Sequence, residues 1–198
     1  MVKMILLGLL MVGLWCMQSC TTVASTGASA FYNHDSLEKS ATDQYITMRA
    51  YQAIDIDSDQ FKDANVNVAT FNRIVLLSGQ VPQAWQKSQA EELVKRISGI
   101  EKIYNLITVE RSSSQLARLH DAWITTKVKS KLFISKDFDA SLVKVVTENR
   151  TVYLMGIVRP KVARIAVDAA SSTDGVVSVV KIFSYLNLSK FPNEREEG

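Results

Sequence analysis

The residues with the most distinctive chemistry in this chain lie in Asp121–Phe133, "DAWITTKVKSKLF". Trp123, Lys127, Lys131, Phe133 and the adjoining Ile134 share a segment with helical periodicity. Aromatic rings interleaved with lysines suit a lipid interface: an indole settles at headgroup depth, and each lysine gains about 1 kcal/mol near an anionic leaflet. Catalytic constellations are missing by comparison. His34 and His120 have no partner pattern such as HExxH, and neither GxSxG nor a phosphate loop occurs. Asp55, Asp57 and Asp59 alternate without the glycine and terminal glutamate of a calcium loop. They mark a helix end and an exposed loop. The cysteines, Cys16 and Cys20, both lie near the N-terminus, leaving no pair to staple the fold and no Cys-based zinc site. A binding protein is expected rather than an enzyme, with no metal and no cofactor.

On a helix at about 100° per residue, with Trp123 at 0°, Ile124, Val128 and Leu132 fall near 100°, 140° and 180°. Those three form the stripe that packs. Lys127 falls near 40°, Ile134 near 20° and Phe133 near −80°, so they share an outward surface with Trp123, and Lys131 sits between the two at about 80°.

The element that positions these residues is written twice. "DQYITMRAYQAI" (Asp43–Ile54) matches "DAWITTKVKSKL" (Asp121–Leu132). "NRIVLLSGQV" matches "NRTVYLMGIV", and "GIEKIYNLITV" matches "GVVSVVKIFSY", in the same order. Such self-similarity marks an internal duplication. Each copy begins with a helix, whose stripe is Ile46, Ala50 and Ile54 or Ile124, Val128 and Leu132. Two strands come next, joined at Asn72 or Asn149, residues that tolerate positive φ. A second helix follows Pro82 in one copy and Pro160 in the other, Gly99 and Gly175 stand where helix C-caps are expected, and a strand near Ile103–Glu110 or Val176–Leu186 closes the unit. The expected fold class is α+β: two tandem αββαβ domains, each a small mixed sheet with two helices on one face. Each is small for a lone core, so the two should pack together.

Opposite charges distinguish the equivalent first helices. Leu119–Lys136 carries four lysines against Asp121, whereas Ala41–Ser58 carries Arg49 against Asp43, Asp55 and Asp57. Packing cannot require that difference. Lys127, Lys129 and Lys131 would together supply roughly 3 kcal/mol of salt-sensitive attraction to an anionic leaflet.

The net charge of +3 is mild, and the chain lacks the strongly basic stripe of a nucleic-acid binder. Residues 1–19 combine Lys3, an apolar run from Met4 to Trp15 and a small-polar end, the layout of an export signal too short for a comfortable membrane span. The junction "MQSC" resembles a bacterial lipobox, with small Ser19 directly before Cys20 and Met17 where leucine is usual. The resemblance implies lipidation at Cys20 with more than one acyl chain, enough for stable anchoring. Thr21, rather than an aspartate, after the cysteine implies delivery to the outer membrane. Residues 20–40 are expected to be a lipidated tether, 41–111 the first domain, 112–116 a linker, 117–188 the second domain and 189–198 a tail.

The duplicated pattern resembles the BON-domain family: a strand ending in glycine, a valine, an alanine-bearing helix and a Gly-Val/Ile before the last strand. The residues are Gly79, Val81, Ala90, Gly99 and Ile100, then Gly156, Val158, Gly175 and Val176. "WITTKVKSKL" with "VTENRTVYLMGIV" is similar to the dual-BON outer-membrane lipoproteins, and Lys181, where the first copy has Asn105, is a departure. This resemblance implies binding to an anionic phospholipid membrane, phosphatidylglycerol-like, through the first helix of the second domain, and support of envelope integrity. Trp123, Lys127, Lys131, Phe133 and Ile134 are the expected contacts. The competing readings are Trp123 packed against the first domain, lysines forming an ordinary solvated face, and an interaction scaffold or periplasmic stress chaperone gripping envelope protein partners with the same aromatics. A lipobox argues against a soluble form.

Overall fold

The computed structural model describes residues 30–55, 58–136 and 138–186. The export signal 1–19, Cys20 with the tether as far as residue 29, and the tail 189–198 lie outside the described residues. The first copy runs α1 (Ala30–Ile54), β1 (Asn65–Phe71), β2 (Ile74–Val81), α2 (Ala84–Lys95), β3 (Lys102–Asn105) and β4 (Thr108–Val109). The second runs α3 (Gln115–Ile134), β5 (Val143–Glu148), β6 (Thr151–Val158), α4 (Pro160–Ser171) and β7 (Ser178–Tyr185). In the first copy, β2 pairs antiparallel with β1 and parallel with β3 and β4. In the second, β6 pairs antiparallel with β5 and parallel with β7.

Strand alternation assigns the two faces of each sheet different neighbours. Val75, Leu77 and Val81 pack with Ile46, Ala50 and Ile54 of α1 and Ala90 and Val94 of α2. Val152, Leu154 and Val158 pack with Ile124, Val128 and Leu132 of α3 and Ala163, Ala166 and Ala170 of α4. The opposite faces meet each other: Ala69 and Leu76 of the first sheet join Tyr153, Met155 and Ile182 of the second in one buried cluster. Two sheets therefore stack face to face with helices outside. Being covered on both faces explains why β2 and β6 are near-continuous apolar runs rather than alternating ones.

A polar seam borders this cluster. Gln80 Nε2 and Asn65 Nδ2 both donate to Glu148 Oε1, at 2.9 and 3.1 Å. Lys144 Nζ donates to the Thr70 carbonyl at 2.9 Å. Burial raises the Glu148 pKa above the ordinary carboxylate range, against the Gln80 hydrogen bond, and burial lowers that of Lys144.

Both hairpins use a two-residue Asn-Arg turn in the left-handed region, with φ of 48° and 63° at Asn72 and Arg73 and of 47° and 61° at Asn149 and Arg150. A helix carboxylate holds each turn. Asp43 accepts from the backbone N–H groups of Asn72 and Arg73 at 2.7 and 2.8 Å, and Asp121 accepts from those of Asn149 and Arg150 at the same distances. The arginine then donates to a glycine carbonyl, Arg73 to Gly99 and Arg150 to Gly175. The duplicated Asp…Asn-Arg…Gly set thus ties the first helix, the hairpin and the turn after the second helix together.

Three expectations are corrected. Helix α1 begins at Ala30, inside the stretch 20–40 read as a tether, because no proline or glycine between Ala30 and Ile54 stops it. Gly99 and Gly175 are not C-caps. Arg96 and Ser172 hold those positions, and the glycines take φ of 90° and 94° in the turns beyond them. The first copy's last strand is interrupted between Asn105 and Thr108, where Asn105 Nδ2 donates to the Lys87 carbonyl and to Glu91. Lys181, its counterpart, sits in an unbroken β7.

Candidate functional site

Ser114 caps the N-terminus of α3, its hydroxyl accepting from the Ala117 N–H at 3.2 Å. The helix then runs 20 residues, about 30 Å. Ile124, Val128 and Leu132 are buried as the stripe requires, and Asp121 is buried beside them on the hairpin turn. The other face carries exposed Leu116, Leu119, Trp123, Phe133 and Ile134.

Trp123 is 50 % exposed, and Phe133 and Ile134 are 79 % and 78 % exposed. All three stay open to solvent rather than packing on the first copy. The indole is held in place by its own helix: the His120 ring stacks on it at 5.8 Å, and Lys127 Nζ lies 3.8 Å from its centroid. Leu116 and Leu119 were not anticipated. They precede Trp123 by seven and four residues on the same side of the helix, and that spacing is legible once the helix is known to start at Gln115 rather than near Asp121.

The lysines do not act alike. Lys127 Nζ is 3.5 Å from Asp174 Oδ2, and Lys131 Nζ donates to the Ser172 carbonyl at 2.6 Å and its hydroxyl at 3.2 Å. Both ammonium groups are drawn to the turn after α4. Lys129, six residues after Trp123, falls about 120° round the helix from it, on the side away from Lys127. Two border the aromatic face, already engaged, and the third lies on the far flank.

A cleft of about 490 Å³ lies between β1 and β5, with Tyr51, Asn67, Arg118 and Thr125 in its lining. The protein's own side chains brace it: Tyr51 Oη accepts from the Val68 N–H at 3.0 Å and donates to Asn67 Oδ1 at 2.9 Å. Among the described residues no group of three or more His, Cys, Asp or Glu could hold a metal ion. None of the helices among them is long and apolar enough to cross a membrane.

Comparison with known proteins locates this architecture. The BON domain matches twice, over residues 42–111 and 120–187. The chain is 37 % identical over 145 residues to the outer membrane lipoprotein DolP of Haemophilus influenzae, covering 73 % of this chain and 75 % of that protein. It is 33 % identical over 144 residues to a 21 kDa hemolysin of Actinobacillus pleuropneumoniae, covering 73 % and 74 %. It is 26 % identical over 162 residues to the osmotically-inducible protein Y of Escherichia coli, covering 80 % of each.

Proposed function

Since this chain belongs to the BON-domain family and carries two such domains in tandem, we propose that it is a lipoprotein of the outer membrane that binds anionic phospholipid through the outward face of α3 and supports envelope integrity. Cys20 is the lipidated residue, and the protein lies on the periplasmic face. The observation that carries the reading is the half-exposed Trp123 at the middle of a helix that also leaves Leu116, Leu119, Phe133 and Ile134 open to solvent. An amphipathic ring flanked by exposed aliphatic and aromatic side chains suits a helix lying in the plane of a membrane interface. The name of the Haemophilus influenzae relative supports the location.

Lipidation and surface binding reinforce each other. A chain already anchored at the outer membrane meets phospholipid at high effective concentration, so a weak face suffices. With Lys127 and Lys131 partly engaged within the domain, apolar insertion contributes more than charge, and added salt weakens binding without abolishing it.

The test is co-sedimentation of residues 20–198, with Cys20→Ser, on phosphatidylcholine vesicles with and without phosphatidylglycerol. Binding that the anionic lipid strengthens and that is lost in Trp123→Ala supports the reading. A folded wild type that ignores both vesicles sinks it and directs attention to protein partners, the use to which an exposed aromatic face is otherwise put.

A further inference from the structure

We propose that Lys127 and Lys131 form a seat for a lipid phosphodiester, that Asp174 holds the Lys127 side of it when no lipid is present, and that exchanging Asp174 for phosphate gives the α3 face its preference for anionic headgroups. This rests on the lipid-facing reading of α3.

The two lysines stand one helical turn apart and so project side by side. Both turn to the same short segment, Lys131 to Ser172 and Lys127 to Asp174. Each ammonium has three donors. Lys131 spends two of them on Ser172, and Lys127 rests against the Trp123 ring while it contacts Asp174. Donors thus remain for a second anion between them.

The Asp174 side chain is 93 % exposed and meets Lys127 at 3.5 Å. Exposed ion pairs of that kind stabilise by only about 0–1 kcal/mol, so displacing the carboxylate is easy. In bulk water, replacing one exposed anion by another gains little. At a membrane surface the exchange brings Trp123 and its apolar neighbours into the interface as well. Asp174 therefore screens Lys127 from soluble anions and yields it to a phosphate embedded in a lipid surface. Zwitterionic headgroups carry their own cation and gain less from the freed lysine.

The duplication provides an internal control. At the positions of Lys131 and Asp174 the first copy has Ala53 and Ser98, and Arg49, the counterpart of Lys127, reaches Gln52 at 3.2 Å instead. The fold is the same and lacks the seat, so packing does not require it.

A double-mutant cycle tests the proposal, using residues 20–198 with Cys20→Ser and vesicles containing phosphatidylglycerol. Removing one acid near an anionic surface strengthens binding by roughly 5-fold through its charge alone. Asp174→Asn should exceed that in the wild-type background, because it also frees Lys127. In Lys127→Gln it should give only the ~5-fold increment. Equal gains in the two backgrounds overturn the seat and leave the lipid-facing helix standing. A wild type that binds no vesicles overturns both. Inorganic phosphate at matched ionic strength should leave vesicle binding unchanged. If it displaces the protein, the seat belongs to free anions and the assignment to lipid is wrong.

Discussion

Gln80 of the first copy donates to Glu148 of the second at 2.9 Å, inside the seam where the two sheets meet. The glutamate is 7 % exposed, and burial raises its pKa. A carboxyl with a raised folded pKa binds its proton more tightly folded than unfolded. Its stabilising contribution is fully present below the unfolded value, about 4.3, and is lost as pH rises through the folded one. Glu148→Gln keeps an oxygen for Gln80 and Asn65 and removes the buried charge. It should raise the urea midpoint at neutral pH and flatten its decline from the acid side. Glu148→Ala leaves the Gln80 amide nitrogen without its acceptor, while Asn65 keeps its bond to Gln80 Oε1 at 3.0 Å, and should cost about 1–3 kcal/mol. A Gln variant less stable than wild type at pH 7 would show that the charge is favourable where it sits.

Asp121 fixes the second hairpin by accepting two backbone N–H groups at 2.7 and 2.8 Å. Hydrogen bonds to charged groups contribute about 1.5–3 kcal/mol each. Asp121→Ala should therefore destabilise by about 3 kcal/mol or more in chemical denaturation, and Asp121→Asn, which retains one acceptor, by less. Asp43→Ala should produce a similar loss from the first copy. Matching stabilities of Asp121→Ala and wild type would contradict the clamp.

The strand glycines differ in what they tolerate. A Cβ on Gly79, at φ 108°, would lie 2.0 Å from the Asn65 carbonyl oxygen. On Gly156 it would meet the Leu142 carbonyl oxygen at 2.6 Å without an unfavourable φ. Gly79→Ala should cost on the order of 3 kcal/mol or more and Gly156→Ala about 1–3 kcal/mol, read from thermal or denaturant unfolding. The reverse order would mean that backbone conformation at Gly79 is not the limiting feature.

Leu119 and Phe133 are 67 % and 79 % exposed and contribute little to the fold. Leu119→Ala and Phe133→Ala should leave the unfolding midpoint near wild type. Each should weaken vesicle binding by several-fold to about 10-fold, as expected for losing part of an inserted apolar side chain. Unchanged vesicle binding in both would confine the contact to Trp123.

The two copies, their order of elements and the buried stripes Ile46–Ala50–Ile54 and Ile124–Val128–Leu132 were legible in the sequence because they rest on local periodicity and turn chemistry. Helix geometry placed Trp123 away from the buried stripe but left open whether it packs on the first copy; its 50 % exposure belongs to the tertiary structure. The start of α3 was not legible: Leu116 and Leu119 precede the strongest periodic signal, and Ser114 as N-cap emerges from hydrogen bonding.

By itself the sequence determined the family, the duplicated fold and the buried helix stripes, since each is set by spacing along a few turns or strands. Only the tertiary structure decided what those residues touch. The sheets stack through residues as far apart as Ala69 and Ile182, and the bonds of Glu148 with Gln80 and Asn65 and of Lys127 and Lys131 with Asp174 and Ser172 join residues 41 to 83 positions apart. Periodicity carries no information about such distant pairs; they are fixed when packing of the apolar faces brings the elements that bear them together.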